Sequence, residues 1–416
     1  MSRFSRLIHL YAANLKAFQV NARYYLISQV IIGASLGVYR LLFNFYILSQ
    51  GFNEAVLGTM ITTSSLTAML CALPMGYLAD RLGRQRSLLI GNLAVSLAVL
   101  VIALIRSLPV FFAMNILIGA GQSLAGVTMG PFLMENSSSK ERTYLFSFSS
   151  GFQTGSAFLG NWIGGYLPTW FALAMGFHPT DTNAYGWSLI TIAAVSALGA
   201  IPLMFLKKRE HRGSQLSVYA PLRYFKEKPA LLGKLILPML VTSIGAGLIM
   251  PFMNVFFRQV HHQPDSVIGV MFAWGSLAMG IGLMLAPPLA ERWGKIQLVV
   301  ITQALSIPFL LMLGFSPLFS LSAVAYYIRL ALMNMSGPVY QTFVMEHVED
   351  GARATVASLV NMASNFGWAF SPGISGWIQV NYGFQPAFAL TIVLYSLSIF
   401  FYWRFFWMGS HKSVKS

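Results

Sequence analysis

Twelve long apolar runs constrain this chain more than any other feature. They occupy residues 24–50, 54–79, 87–105, 108–134, 143–172, 185–206, 232–259, 265–290, 296–315, 317–345, 353–380 and 384–408. About 20 apolar residues in a helix span the hydrocarbon core of a bilayer, and each run is close to that length or above it. Composition points the same way: of 416 residues, 56% are hydrophobic and 9% charged, where a soluble chain carries about 25% charged residues. The expected fold class is therefore an all-α membrane protein with twelve transmembrane helices. The lone cysteine, Cys71, sits inside an apolar run and leaves no internal disulfide. The first run is too long for a signal peptide, and no small-residue cleavage site follows it. Residues 1–23 read as a short amphipathic segment lying on the inner membrane face, with Leu7, Ile8, Tyr11, Leu15 and Phe18 at helical spacing among basic residues; a frayed basic tail is the alternative.

The formal net charge is +15. With the N-terminus placed in the cytoplasm, the basic residues collect on the inner segments: Arg81, Arg84 and Arg86; Lys140 and Arg142; the block from Lys207 to Lys234; Arg292 and Lys295; Arg353; and Arg404. Only Arg106 and Arg258 fall near outer ends. Lysine and arginine bias of this kind sets orientation, so both termini are expected in the cytoplasm. The positive charge is a topology signal, reinforced by anionic lipid headgroups, and calls for no nucleic-acid partner.

The long polar stretch at 207–231 divides the spans six and six, giving expected domains at 1–206 and 232–416 with a cytoplasmic loop between them. The two halves repeat. "GYLADRLGR" (76–84) aligns with "PPLAERWGK" (287–295) at a shift of 211 residues, and the same shift pairs Gly58 with Gly269, Glu135 with Glu346, Arg142 with Arg353 and Gly165 with Gly376. Parallel six-helix halves related by an axis along the membrane normal are a transporter architecture, with the binding site at mid-membrane between repeats.

"GYLADRLGRQRS" (76–87) resembles the loop signature of the major facilitator superfamily, with Gly76, Leu78, Asp80, Arg81, Gly83 and Arg84 in pattern and Gln85 where a second basic residue is usual. The resemblance is to the prokaryotic-type, twelve-helix members. It implies two pseudo-symmetric six-helix bundles, a bacterial or archaeal inner-membrane location, and rocker-switch alternating access. It further implies that the inner ends of the spans lie together, with Asp80 near the eleventh helix. An ion pair there would latch one state, since a bias of a few kcal/mol shifts such a balance. The expected latch residues are Gly76, Asp80, Arg81, Gly83, Arg84, Glu135 and Arg142, with Glu291, Arg292, Glu346 and Arg353 in the second copy. A solvated turn obeying the orientation rule is the alternative.

All twelve acidic residues fall in loops or at span ends, so a proton relay through a mid-membrane carboxylate is not expected, although Glu135 could still titrate. Two arginines are deep. Arg40 lies about 16 residues into span one, and Arg329 about 12 into span ten. A charge at such depth costs at least ~2.5–3.5 kcal/mol and normally faces a cavity or a partner. The resemblance implies that helices one, four, seven and ten line the cavity. Arg40 and Asn44 on the first, Asn115 and Gln122 on the fourth, Asn254 on the seventh, and Tyr326, Arg329 and Asn334 on the tenth are the candidate substrate-binding residues. Guanidinium forks bind carboxylate or phosphate bidentately; the alternative is that each arginine bonds helix carbonyls or snorkels. Span five carries "GNWIGG" (160–165), similar to the family's antiporter signature but with Asn161 in place of proline; tight helix packing explains the same residues.

The chain is therefore expected to be a secondary active or facilitative transporter, and not an enzyme. The expected cargo is an organic anion or anionic amphiphile. The alternatives are a multidrug or lipid exporter with a hydrophobic cavity, or a transport-inactive sensor or scaffold. No cofactor or metal site is read from the sequence. Expected partners are a small-molecule or lipid-like substrate and membrane lipids, with the protein acting as a monomer.

Overall fold

The computed structural model describes residues 18–138, 142–207, 228–348 and 353–408. The side chains of Arg142 and Arg353, the loop residues Lys140 and Glu141, most of the 1–23 segment and most of the 207–231 loop lie outside the described residues.

Among the described residues the backbone is helical and without strands, which follows from a solvent that offers no hydrogen bonds: only a helix or a closed barrel satisfies every amide in hydrocarbon. Twelve long helices run in order: α1 Val20–Ser49, α2 Glu54–Leu82, α3 Arg84–Leu104, α4 Leu108–Glu135, α5 Arg142–Met175, α6 Thr182–Gly199, α7 Pro229–Ile249, α8 Asp265–Trp293, α9 Lys295–Phe315, α10 Phe319–Glu346, α11 Arg353–Tyr382 and α12 Phe384–Tyr402. A short helical turn, Ile201–Met204, continues α6, and a 3-10 turn followed by Met253–Gln259 continues α7. Among the described residues, nine of these helices are long and apolar enough to cross a membrane. Helices α5, α10 and α11 fall below that mark because serine, asparagine, glutamine and glycine interrupt them and Arg329 sits in α10.

The internal repeat is visible in the backbone. Gly83 between α2 and α3 has φ +82°, and Gly294 between α8 and α9 has φ +94°. A side chain would be strained in that conformation, which explains why glycine recurs 211 residues apart inside two otherwise divergent loops.

The described residues cluster into two compact units. One holds the chain up to Tyr46 and from Leu70 to the central loop; the other holds Ile47–Met69 and the chain after that loop. Residues 47–69 thus cluster with the second unit, although they belong to the first half of the sequence. The packing of α2 on α11 accounts for this. A Cβ on Gly58 would stand 2.2 Å from the Pro372 carbonyl, and one on Gly376 would stand 2.1 Å from the Glu54 carbonyl. The Gly373 N–H donates to Thr62 Oγ1 at 2.9 Å.

Within the first unit, α5 lies against α1 through the "GNWIGG" stretch. A Cβ on Gly160 would sit 2.1 Å from the Ala34 carbonyl, and one on Gly164 would sit 2.9 Å from Val38 Cγ1. Gly91 and Gly121 bring α3 and α4 equally close. In the second unit α11 repeats the arrangement on α7: a Cβ on Gly367 would lie 2.2 Å from the Ser243 backbone, and Ser375 Oγ donates to the Leu248 carbonyl. Small residues let helix backbones meet where lipid supplies no hydrophobic drive for association. Each unit also has an apolar cluster: Phe18, Tyr25, Leu88, Phe132 and Leu203 in the first, and Leu235, Val299, Tyr340, Phe343 and Tyr402 in the second.

Gly160→Ala is expected to lower the thermal unfolding temperature of the purified protein, since overpacking of this kind costs ~1–3 kcal/mol. Gly155, where a Cβ would meet nothing within 4 Å, should accept alanine with no loss. Equal stability of both variants would contradict the packing described.

Candidate functional site

The charged turn of "GYLADRLGRQRS" is built by the end of α2, the Gly83 reversal and the first turn of α3. Asp80 lies in the last turn of α2 and Arg84 opens α3 four residues on, across the Gly83 reversal, and Glu135 ends α4. Arg84 joins them: its Nη1 donates to Asp80 Oδ1 at 2.9 Å and its Nε to Glu135 Oε1 at 3.1 Å. The Arg84 side chain is 13% exposed, against 48% for Asp80 and 31% for Glu135. The arginine is thus the half-buried hub and the carboxylates are its more solvated arms. The repeat reproduces one arm, where Lys295 Nζ donates to Glu346 Oε1. Glu291 and Arg292 are exposed. Gln85, the departure from the basic pattern, donates through Nε2 to the Met204 carbonyl at 2.8 Å and so caps the end of α6. Arg81 lies over the Tyr77 ring, 4.7 Å from its centroid. Gly76 has open space around its Cα.

The second site is a cavity of about 230 Å³ inside the first unit. Arg40 opens onto it from α1, Asn92 from α3, Gln122 from α4 and Gln153 from α5. Gln29, eleven residues before Arg40 and so on the same helical face, lines it too. Ser96 and Ser196 bond to each other across α3 and α6 at 2.9 Å. Among the described residues no carboxylate lines the cavity. Arg40 is exposed to it and pairs with no acidic group among the described residues. Gln29, Asn92 and Gln153 were not among the residues expected from the sequence. The signal for Gln29 was there in its spacing from Arg40, whereas Asn92 and Gln153 lie on helices three and five, to which the family pattern assigns no lining role.

The remaining candidates are dispersed. Asn44 and Asn254 are buried; Asn254 Oδ1 accepts the Val255 N–H. Asn115 donates to the Phe111 carbonyl and Asn334 to the Leu330 carbonyl, each one turn back along its own helix. Tyr326 is buried and stacks on Phe272 with ring centroids 5.7 Å apart.

Arg329 is 2% exposed in the second unit. Its Nη2 donates to Tyr395 Oη at 3.1 Å, its Nη1 approaches Met250 Sδ at 3.3 Å, and the guanidinium carbon lies 5.5 Å from the Tyr395 ring centroid. Its Nε has no hydrogen-bond partner among the described residues. The contact with Tyr395 depends on Gly245, where a Cβ would come within 2.8 Å of the tyrosine ring. Tyr395→Phe should therefore lower stability by ~1.5–3 kcal/mol, the worth of a hydrogen bond to a charged group. Adding Arg329→Met should recover part of that loss, because removing the buried charge removes the need for its partner. Thermal unfolding of the two variants beside the parent tests the pair; an equal loss in both would contradict it.

The chain matches the family model described as Major Facilitator Superfamily over residues 25–372 and 235–416. It is 20% identical over 347 residues to "Multidrug resistance protein MdtG" of Dickeya zeae (strain Ech586), covering 82% of each chain. It is 23% identical over 337 residues to "Inner membrane metabolite transport protein YhjE" of Escherichia coli (strain K12), covering 74% of each. Its fold is similar to the crystal structure of the nucleoside transporter NupG (D323A mutant), with TM-score 0.77 at 14% identity, over 93% of this chain and 100% of that one. With the family model spanning most of its length, twelve long helices and a duplicated charged loop, the chain belongs to the Major Facilitator Superfamily.

Proposed function

We propose that this transporter moves an organic anion, or an anionic amphiphile, whose carboxylate or phosphate is held by Arg40. The observation that carries the reading is the lining of the first-unit cavity: among the described residues, one guanidinium, several carboxamides and no carboxylate. Arginine is charged at any working pH, so the cavity presents a permanent positive charge. Its field is strong because few mobile dipoles screen it in a low-dielectric bundle. The fork of N–H groups fits a planar or tetrahedral oxyanion, and Gln29, Gln122 and Gln153 supply neutral donors around it. The volume, about 230 Å³, equals that of roughly eight water molecules at ~30 Å³ each, which suits an anionic headgroup.

A second reading is favoured by a different part of the same wall. Ile32, Leu36, Val95, Val99 and Met129 make part of the lining apolar, and the MdtG relatives bear the name multidrug resistance proteins. An efflux pump for amphiphilic drugs would use those residues, with Arg40 holding a headgroup.

In either case the Asp80–Arg84–Glu135 cluster is proposed as part of the latch for alternating access. Its pairs are solvated enough to exchange: exposed ion pairs contribute only ~0–1 kcal/mol, so one cluster can favour a state without locking it.

Two measurements test these readings. A thermal-shift screen of organic anions, anionic lipids and cationic drugs on the purified protein should find anions that stabilise it, and Arg40→Gln should weaken their binding by tenfold or more while leaving cations unaffected. Anion affinity unchanged in Arg40→Gln would refute the anion site; stabilisation by cationic drugs alone would favour the efflux reading. Asp80→Asn should slow transport of the ligand so found, with membrane expression unchanged. Transport kinetics equal to those of the parent would remove Asp80 from the latch.

A further inference from the structure

The first unit holds a second cavity of about 160 Å³, at the bundle end that the basic residues assign to the cytoplasm. The 82–86 turn, the end of α4 and the chain at Leu206 and Lys207 form its wall. Among the described residues three cations line it, Arg84, Arg86 and Lys207, against one carboxylate, Glu135. Arg84 is engaged with Asp80 and Glu135. Arg86 and Lys207 are exposed, and neither side chain pairs with an acidic group among the described residues.

The wall is held in place. Asn21 Oδ1 accepts the Lys207 N–H at 2.9 Å, and Asn21 Nδ2 donates to the Lys207 carbonyl at 3.1 Å and to Asn136 Oδ1 at 3.0 Å. Gln85 ties the turn to the end of α6 through Met204. Two cations with no acidic partner among the described residues therefore line one concavity on a fixed backbone, a geometry suited to an oxyanion. The uncapped start of α3, which follows Gly83 without a side-chain cap, adds N–H donors of the same sign.

Two further observations say which oxyanion. From Arg86, exposed apolar residues continue along one face of α3 at Ile90, Leu93 and Leu97, spaced 4, 7 and 11 residues on and so stacked along the helix. The neighbouring α6 and its continuation expose Leu198, Ile201 and Met204. An apolar track thus runs from the cavity toward the hydrocarbon, where a free phosphate would have no use for it and two acyl chains would. The pseudo-symmetric half lacks the chemistry: at the shift of 211, Gln297 stands for Arg86 and the buried Ile296 for Gln85. The turn folds without the second cation, so the fold alone does not require Arg86.

We infer that this cavity binds the phosphate of an anionic phospholipid in the leaflet at that face. Arg86 and Lys207 hold the phosphate, and the acyl chains lie along α3 and α6. The site is separate from the Arg40 cavity and independent of the cargo.

Native mass spectrometry of the full chain in detergent, titrated with phosphatidylglycerol, phosphatidylcholine or inorganic phosphate, tests the inference. One tight phosphatidylglycerol is expected. Arg86→Gln with Lys207→Gln should weaken it roughly 30-fold, from two interfacial cations at ~1 kcal/mol each, and leave phosphatidylcholine unchanged. Lys207→Gln alone, which spares every backbone bond of the wall, should weaken it about fivefold and keeps the test open if the double variant fails to fold. Arg404→Gln, an exposed cation of the second unit, should have no effect. Unchanged phosphatidylglycerol binding in the Lys207 variant, or an equal loss in Arg404→Gln, would overturn the site. Displacement of the lipid by equimolar inorganic phosphate would overturn the phospholipid assignment.

Discussion

Hydrocarbon offers no water to satisfy a polar group, and the rest of this structure follows from that constraint. It makes every span a helix, because only a helix closes its own hydrogen bonds. It leaves van der Waals contact and hydrogen bonds as the means of holding helices together, hence Gly160 against Ala34 and Gly367 against Ser243. Side-chain hydroxyls do similar work between elements: Tyr46 Oη donates to the Ile102 carbonyl, Thr391 Oγ1 to the Gly245 carbonyl and Tyr340 Oη to the Leu235 carbonyl. The same constraint sorts the charges. Carboxylates stay at helix ends, and a deep cation survives only with a cavity or polar company.

Duplication then supplies two bundles, and divergence makes them unequal. The ion pair of Arg84 with Glu135 has its counterpart in Lys295 with Glu346, so that element of the turn serves both halves. The hub is not duplicated. Arg84 reaches two carboxylates, and its neighbours Gln85 and Arg86 have become Ile296 and Gln297 in the second copy. Arg40 has Pro251 at its repeat position, where the second bundle breaks α7 with a 3-10 turn. Both cavities described above therefore fall in the first unit, and the proposed anion chemistry of this transporter is concentrated there.

Hydropathy and charge made the fold legible because both are read residue by residue. Twelve spans, the repeat and the charged turn needed no knowledge of packing. The glycine of that turn could be matched to its mate because a positive φ admits little else. The site was legible only in part. Arg40 was visible because a charge at mid-span is rare. Gln153 was not, because a carboxamide in a membrane helix is common, and only the tertiary arrangement of α5 decides whether it meets a cavity or a neighbour's backbone. The stretch at 47–69 shows the same limit. Nothing in its composition says that it clusters with α11, since the contact is made by Gly58 and Gly376, and small residues mark close packing without naming the partner.

The two deep arginines show how one residue type meets the same cost in two ways. Arg40 keeps access to a cavity, so its charge is solvated by whatever fills that space. Arg329 has no such access at 2% exposure, and its environment is a phenol oxygen, an aromatic face and a thioether sulfur. None of these carries a formal negative charge. Each is polarisable or dipolar, and together they stand in for part of a hydration shell; a cation–π contact that has lost its water contributes ~2 kcal/mol. The unbonded Nε is the part left unsatisfied. Helix α10 thus carries a cation that is held at three points and incompletely solvated, in the bundle opposite in sequence to the one that holds the Arg40 cavity. A group so placed favours any rearrangement that brings an anion or water to its Nε, whereas Arg40 already opens onto a cavity.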